Sequence, residues 1–151
     1  METNNIGRVR LATEDDITEI VSIERKCFAD PWSENAFRSS FNKNTDIFVL
    51  ETDDRIGGFA VFDRTLGTEA ELHIIAVDPD LRGNGFSKLL MDAMVESATK
   101  NGIERIMLEV RASNEVAISL YAKYGFEKVG LRPGYYRNPV ESAILMDLLC
   151  G

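Results

Sequence analysis

Cysteine and histidine are scarce in this sequence, which limits both disulfides and metal sites. The 151 residues include two cysteines, Cys27 and Cys150, and one histidine, His73. The cysteines are far apart and have no partners at metal-ligand spacing, so we expect neither a disulfide framework nor a bound metal. A reducing cytoplasm is the simplest location for such a chain. Cys27, within an amphipathic segment, is interpreted as a small buried hydrophobic residue.

Long apolar runs are missing as well. No stretch approaches the roughly 18 consecutive apolar residues of a membrane span. The opening residues, METNNIGRVR, lack the apolar core of a secretory signal. We therefore expect no membrane partner.

Positive charge is in deficit. The chain has 17 basic against 25 acidic residues and a formal net charge of −8. A general nucleic-acid binder needs a basic face, so we expect no direct contact with nucleic acid. An acidic surface steers cations, which is compatible with an amine or a basic peptide as substrate, although solubility alone also explains an acidic protein.

What the chain does contain is enough for one ordinary domain. With 44% hydrophobic and 28% charged residues, its composition is globular, and its length suffices to bury a sizeable core. Neither an internal repeat nor a linker interrupts it. A single domain spanning residues 1–151 is therefore predicted.

Hydrophobic periodicity predicts alternating helices and strands. The first helix, 15–28, has a spacing that places Glu24 among its apolar residues, and Ser33 is suited to cap the second. Asp53 and Asp54 form the turn between the second and third strands. Because hairpins flank the middle, we expect a mixed α/β sheet of about six to seven strands with about four helices. Strands are predicted at 9–12, 47–51, 56–63, 70–77, 105–110, 127–131 and 142–148, and helices at 15–28, 33–41, from 86 to a stop at Gly102, and at 115–124.

Two glycines stand in the turn before the third helix, in the segment LRGNGFSKLL at 81–90. A strand, a glycine turn and a helix can aim backbone N–H groups and a positive helix end at phosphate oxygens. A plain connection is the alternative. The order Gly85-Phe86-Ser87-Lys88 does not fit a Walker loop, and Lys88 occupies the place of the third glycine of a dinucleotide fingerprint.

The same turn resembles the acetyl-CoA loop of the GNAT N-acetyltransferases. That loop is matched by 82–87, Arg-Gly-Asn-Gly-Phe-Ser, and the family's preceding strand by 75–79, Ile-Ala-Val-Asp-Pro. The segment departs from the pattern at Gly83, where a basic residue is common, and at Ser87, where glycine or alanine is preferred. The resemblance implies the GNAT fold and acetyl-CoA as co-substrate. It also implies the following cofactor-binding residues: Ile75, Ala76, Val77, Arg82, Gly83, Asn84, Gly85, Phe86, Ser87, Lys88 and Asn114.

Further segments resemble the RimI-type branch of that family. They are 30–34 (DPWSE), 109–114 (EVRASN), 117–121 (AISLY), 124–126 (YGF) and 134–136 (GYY), within a match over about 8–149. Enzymes of this branch acetylate the N-terminal amine of a small-subunit ribosomal protein, so the resemblance implies acetyl-CoA and a protein N-terminus as partners. The alternatives are a GNAT enzyme acting on a small amine or a lysine side chain, and a catalytically silent acyl-CoA-binding or partner-binding module.

Acetyl transfer needs a base for the amine proton, and the branch resemblance puts it at Glu109. Glu109 shares one face of its predicted strand with Met107 and Arg111, opposite Ile106, Leu108 and Val110. A carboxylate can accept the proton directly or through water. A surface carboxylate paired with Arg111 is the alternative.

The resemblance makes Tyr121 the general acid for the departing thiolate, with a core tyrosine as the alternative. Asn114 can cap the helix that carries Tyr121 and also contact the cofactor. Glu71 and His73 are rival base candidates that alternate on the strand before the loop, on one face with Ile75, although a lone histidine is more often structural. Trp32, Tyr135 and Tyr136 either line a peptide entrance, as the branch implies, or serve as core aromatics.

Overall fold

Seven strands form one mixed sheet in the order β1-β2-β3-β4-β5-β7-β6. A computed structural model of the chain describes residues 6–53 and 55–150, so the predicted turn residue Asp54 lies outside the described part. The predicted α/β class, with its mixed sheet and four helices, is confirmed. The strands are β1 (Arg8–Leu11), β2 (Thr45–Glu51), β3 (Ile56–Leu66), β4 (Glu69–Val77), β5 (Arg105–Arg111), β6 (Glu127–Tyr136) and β7 (Glu141–Leu149), and the helices are α1 (Ile17–Cys27), α2 (Glu34–Ser39), α3 (Phe86–Lys100) and α4 (Glu115–Lys123).

The helix ends follow local capping chemistry. Ser33 Oγ accepts a hydrogen bond from the Ala36 N–H at 3.1 Å, as predicted for the cap of α2. Gly102 follows α3 with a φ of +67°, a left-handed conformation that glycine adopts without steric cost. A short 3₁₀ turn, Glu14–Asp16, precedes α1, so the predicted single helix over 15–28 is divided there.

The two faces of the sheet carry separate hydrophobic cores. On one face, α1 and α2 pack against alternate residues of β2 and β3, including Val49, Phe59 and Val61. On the other face, α3 covers the intervening residues, including Leu50 and Phe62, and apolar residues of α4 belong to the same core. This alternation is the two-residue period of a sheet buried on both faces.

Strand β4 contains a bulge at His73. Leu72 pairs with Phe62 and Ile74 pairs with Val61, which leaves His73 as the extra residue of β4. Ala70 and Leu72 consequently face the α3 core, whereas Ile74 faces the α1 core. The prediction that Ile75 shares a face with Glu71 and His73 is wrong, since Ile75 packs against the α3 core and the extra residue reverses the alternation.

Strands β4 and β5 are parallel but pair over a short distance. Their register joins Glu69 to Arg105, Ala70 to Ile106 and Glu71 to Met107. Beyond Glu71, β4 continues to Val77, and β5 continues to Arg111 with β7 on its other side. The ladder between β4 and β5 thus stops at Glu71, and the backbone groups that face each other across the gap beyond it have no partner in the opposite strand.

Candidate active site

The glycine turn has the backbone geometry that an anion cradle requires. Gly83 and Gly85 have φ values of +86° and +75°, which favour glycine strongly over residues with a side chain. A Cβ built at either position has no described heavy atom within 4 Å, so the backbone borders open space. Gly85 is the N-cap of α3 and supplies no side-chain acceptor. The N–H groups of the first turn, Phe-Ser-Lys-Leu, are therefore positioned to bind an anion.

A second helix begins beside the gap between β4 and β5. Asn114 is the N-cap of α4, where its Oδ1 accepts a hydrogen bond from the Ala117 N–H at 3.2 Å. The predicted capping role of Asn114 is confirmed. Because β4 and β5 are parallel, their carboxyl ends lie at the same end of the sheet. Helices α3 and α4 both start at that end. In open α/β sheets this crevice is the usual place for a ligand.

Side chains of the predicted cofactor residues differ in exposure. Phe86 is 3% exposed and packs in the α3 core, so its backbone is the part that can face a ligand. Ala76, in the α1 core, and Val77, in the α3 core, are buried as well. Arg82 and Lys88 are exposed, and an Arg82 guanidinium nitrogen lies 3.7 Å from the Cys27 Sγ. Cys27 itself is half-buried, and burial raises the pKa of its thiol.

A cleft of about 390 Å³ lies beside the gap between β4 and β5, on the face of the sheet opposite α3 and α4. It collects predicted site residues from four separate parts of the chain. Those lining it are Trp32, Glu71, His73, Glu109, Tyr135 and Tyr136. The structure therefore brings both rival sets of base candidates and all three predicted entrance aromatics to one place.

Glu109 presents a carboxylate oxygen without a hydrogen bond in this cleft. Its strand alternates as predicted, with Leu108 and Val110 buried in the α3 core on the opposite face. The Glu109 Oε2 is buried and has no hydrogen-bond partner among the described residues, and an Arg132 guanidinium nitrogen lies 3.8 Å from it. Arg111 pairs instead with Glu141, at 3.3 Å. The alternative of a Glu109–Arg111 pair is therefore wrong, and Glu109 keeps a free lone pair for a proton.

The aromatic residues form the walls around Glu109. Tyr135 and Tyr136 contact each other edge to face, with centroids 5.1 Å apart. The Arg111 guanidinium lies 4.6 Å from the Tyr136 ring centroid. Burial, and then the negative charge of Glu109, raise the pKa of Tyr136 to about 12. Its hydroxyl thus stays protonated and can donate a hydrogen bond.

His73 is held between two carboxylates. Its Nε2 lies 3.1 Å from Asp63 Oδ2 and its Nδ1 lies 3.6 Å from Glu71 Oε2. The ring also contacts Trp32, with centroids 5.9 Å apart. His73 is therefore engaged by both carboxylates, whereas the Glu109 Oε2 makes no hydrogen bond to a described residue and has only the more distant Arg132 guanidinium, at 3.8 Å, as an ion-pair partner.

Tyr121 lies away from the cleft, on the opposite face of the sheet. Its ring is 6% exposed and packs 5.8 Å from that of Phe126, in the core with Leu108 and Val110. Burial, and to a smaller degree the neighbouring Tyr136, raise the pKa of Tyr121 well above its usual value. The phenol therefore remains protonated at neutral pH.

Comparison with known proteins identifies the fold. The model of the Acetyltransferase (GNAT) family matches residues 17–126, more than half of the chain. The chain belongs to the GNAT acetyltransferase family. The predicted family, and the prediction of an N-acetyltransferase, are confirmed.

Two relatives share nearly the full length of this acetyltransferase. The [ribosomal protein bS18]-alanine N-acetyltransferase of Salmonella typhimurium is 34% identical, covering 95% of this chain and 97% of its own. The crystal structure of the ribosomal-protein-S18-alanine N-acetyltransferase from Escherichia coli superposes with a TM-score of 0.89 at 34% identity, covering 95% of this chain and 94% of its own. These matches are to the branch that the sequence motifs resemble.

A more distant structure shares the fold alone. A putative acetyltransferase from Salmonella typhimurium, solved with its cofactor acetyl-CoA, has a TM-score of 0.82 at 17% identity and covers 96% of this chain and 94% of its own. Among the helices described here, none is long and apolar enough to cross a bilayer. Within the described ranges, no group of three or more histidine, cysteine or acidic side chains is arranged to hold a metal.

Three charged residues of the cleft of this acetyltransferase were not found from sequence. Arg105, Arg132 and Asp147 line it. Arg105 pairs with Asp147 on β7 and with Glu69 on β4, the latter at 3.0 Å. No local motif distinguishes these residues from ordinary surface charges, because their position depends on which strands are neighbours.

Proposed function

We propose that this enzyme transfers the acetyl group of acetyl-CoA to the α-amine of an N-terminal alanine, that of ribosomal protein bS18, in the cytoplasm. Relatives that carry this activity in their names align over almost the whole chain. The observation that carries the chemical part of the proposal is the buried Glu109 Oε2, which makes no hydrogen bond to a described residue and lies in a cleft beside the gap between β4 and β5.

Acetyl-CoA would enter from the side of α3 and α4. The N–H groups of 83–88 and the positive end of α3 would hold its pyrophosphate, since Gly83 and Gly85 leave open space beside the backbone. The unpaired edge of β4 at Ile75, Ala76 and Val77 offers backbone donors and acceptors to the amides of the pantetheine arm. Asn114, at the start of α4, would contact the same arm.

The acceptor amine would enter from the cleft, where Glu109 takes its proton. An α-amine with a pKa near 8 costs about 1.4 kcal/mol to neutralise at pH 7, whereas a lysine near 10.4 costs about 4.6 kcal/mol. The neutral nitrogen attacks the thioester carbonyl, the C–N bond forms, the C–S bond breaks, and the amine proton goes to Glu109. A base of modest strength is sufficient for the α-amine.

Tyr121 would act on the leaving sulfur from the opposite face. A thiol has a reference pKa near 8.5 and a phenol near 10, so complete proton transfer from Tyr121 to the thiolate is uphill. Burial raises the pKa of Tyr121 and makes the transfer still less favourable. We therefore assign to Tyr121 the donation of a hydrogen bond that stabilises the departing thiolate.

Peptide recognition would fall to the walls of the cleft. Trp32 on one side and Tyr135 and Tyr136 on the other flank Glu109. Their rings supply apolar surface, and the protonated Tyr136 hydroxyl supplies a donor for the peptide backbone.

Mass spectrometry of matched peptides tests this function. Both peptides have the same sequence with one internal lysine. One has a free N-terminal alanine, and in the other the N-terminus is blocked, so that only the lysine can be acetylated. We expect the free N-terminus to be acetylated faster, because of the difference of about 3 kcal/mol in neutralisation cost. Equal or faster acetylation of lysine, or of a small amine, would contradict the proposal, and so would binding of acetyl-CoA without turnover.

A further inference from the structure

Glu24 is a buried carboxylate outside the cleft that the chemistry above does not use. It lies on α1 and is 2% exposed, surrounded by the core under α1 and α2. Its Oε2 accepts a hydrogen bond from the Trp32 N–H at 2.9 Å. Its Oε1 is buried and has no hydrogen-bond partner among the described residues.

This arrangement is a poor way to stabilise a fold. Burial raises the pKa of Glu24, and the single hydrogen bond from Trp32 offsets that effect only in part. A buried carboxylate without a cation carries a desolvation cost that an apolar residue of the same size avoids. What Glu24 provides specifically is an acceptor for one backbone group, the N–H of Trp32.

The hydrogen bond to Glu24 fixes the backbone of Trp32, whose ring lies on the cleft wall. Its ring contacts Phe37 from α2, with centroids 5.3 Å apart, and reaches His73 on the bulge of β4. The neighbouring Asp30 Oδ1 accepts a hydrogen bond from Asn138 Nδ2 at 2.8 Å. The segment 28–33 is thus fixed from inside by Glu24 and from across the cleft by Asn138, and it carries Trp32 on the cleft wall.

We propose that Glu24 is a positioning residue that fixes Trp32 at the peptide entrance and thereby sets the affinity for the acceptor peptide, without affecting acetyl-CoA binding or the chemical step. Glu24 acts through one acceptor oxygen. Its negative charge is not needed for this role. The proposal rests on the proposed function to the extent that the acceptor is a peptide.

Two substitutions at one position separate the oxygen from the charge. Glu24→Gln keeps an oxygen that can accept from the Trp32 N–H, so KM for the peptide should stay within about twofold of the parent value. Glu24→Leu removes the acceptor at similar volume, and KM for the peptide should rise at least about fivefold. In both variants kcat and the KM for acetyl-CoA should stay within about twofold of the parent.

Fluorescence gives a second readout that does not depend on turnover. Trp32 is the only tryptophan of the chain, so the emission spectrum reports on this site alone. Glu24→Leu should shift the emission maximum, and Glu24→Gln should leave it at the parent position. In the parent protein, hydrogen exchange should show a protected Trp32 amide, and a Trp32 amide that exchanges as fast as a free one would overturn the proposal even if the leucine variant does not fold.

Asp16→Asn is the matched control. Asp16 is also a buried carboxylate beside α1, 6% exposed, but it pairs with Arg10 at 2.9 Å away from the cleft. Its replacement should lower the melting temperature while the peptide KM and the emission spectrum remain unchanged.

Besides fast exchange of the Trp32 amide, three outcomes would overturn the role of Glu24. They are a parent-like peptide KM in Glu24→Leu, an equal rise in Asp16→Asn, and a rise in Glu24→Gln as large as in the leucine variant. If the parent enzyme acetylates some other amine, the proposed function fails, whereas the KM for that amine, the emission and the amide exchange still test the contact between Glu24 and Trp32.

Discussion

Glu109 and Tyr121 lie on opposite faces of the sheet. Glu109 points into the cleft on the side of α1 and α2, and Tyr121 is buried on the side of α3 and α4. One reaction can use both residues because β4 and β5 stop pairing after Glu71. The thioester would span the gap between these strands, with the amine approaching from one face and the sulfur leaving towards the other.

Replacing Tyr121 tests the second half of this arrangement. Tyr121→Phe keeps the ring in the core and removes the hydroxyl, so we expect kcat to fall about a hundredfold, the lower end for the loss of one hydrogen-bond donor that stabilises charge in the transition state. Raising the pH should not restore the rate, because the lost group acts on the leaving sulfur and not on the amine. Steady-state kinetics between pH 7 and about 9.5 measure this.

Tyr124→Phe is the control for that variant. Tyr124 lies on the turn after α4, and its hydroxyl donates a hydrogen bond to Asp92 Oδ1 on α3 at 2.6 Å. Its loss should reduce the free energy of unfolding by about 1 kcal/mol and leave kcat within a few-fold. A similar loss of kcat in both variants would indicate that the effect is structural.

The glycine turn gives a prediction on acetyl-CoA affinity. Valine at Gly85 places a branched side chain where the backbone borders open space and has a φ of +75°. It should block the approach of the pyrophosphate and weaken binding by at least tenfold, about 1.4 kcal/mol, measured by calorimetry. Gly67→Val is the control, because Gly67 has a φ of +81° and equally open surroundings in the turn between β3 and β4. Unchanged affinity in a folded Gly85→Val protein would contradict the cradle.

Asp78 makes the stability of this enzyme depend on pH. It is 1% exposed and accepts hydrogen bonds from Arg55 at 2.8 Å and from Lys26 at 3.0 Å. Burial raises its pKa, but the hydrogen bonds from the Asp80 N–H, Arg55 and Lys26 outweigh burial and lower the pKa from 3.8 to about 2. A pKa that is lower in the folded state stabilises the fold above the unfolded value and loses this contribution as pH falls through the folded value.

The expected contribution of Asp78 at pH 7 is about 2 kcal/mol. Asp78→Asn should therefore lower the free energy of unfolding by about that amount at neutral pH. The difference from the parent should shrink between pH 4 and pH 2, as followed by denaturant titration. Asp80→Asn, at an exposed position in the same turn, should change the free energy of unfolding by less than about 0.5 kcal/mol, both at neutral pH and between pH 4 and pH 2.

The fold was predictable where local chemistry decides it. The α3 helix, the cap at Ser33 and the cap at Asn114 follow from periodicity and from side chains that satisfy nearby N–H groups. Exposure was less predictable. Leu89 on α3 is apolar but 37% exposed, while Ala98 further along the same helix is buried. Which apolar residues of α3 are covered depends on how the helix packs against the sheet, which its own sequence does not state.

The site was predictable in its members but not in its arrangement. The bulge at His73 depends on how β4 pairs with Val61 and Phe62 of β3, which are remote in sequence. The salt bridge from Arg111 to Glu141 likewise depends on two strands meeting. Such relationships between distant segments engage Arg111 with Glu141 and so exclude the alternative of a Glu109–Arg111 pair.

The base assignment is tested by comparing Glu109 with its rivals in the same cleft. Glu109→Gln is nearly isosteric and cannot take a proton, so acetyl-CoA affinity should persist while kcat falls at least about a hundredfold. Higher pH should partly restore the rate, because more of the amine arrives already neutral. Glu71→Gln and His73→Ala are the matched variants, and each should retain kcat within a few-fold, since His73 is held between Asp63 and Glu71 whereas the Glu109 Oε2 makes no hydrogen bond to a described residue. If kcat instead falls at least about a hundredfold in Glu71→Gln or His73→Ala while Glu109→Gln stays within a few-fold of the parent, the general base is on β4 and not at Glu109.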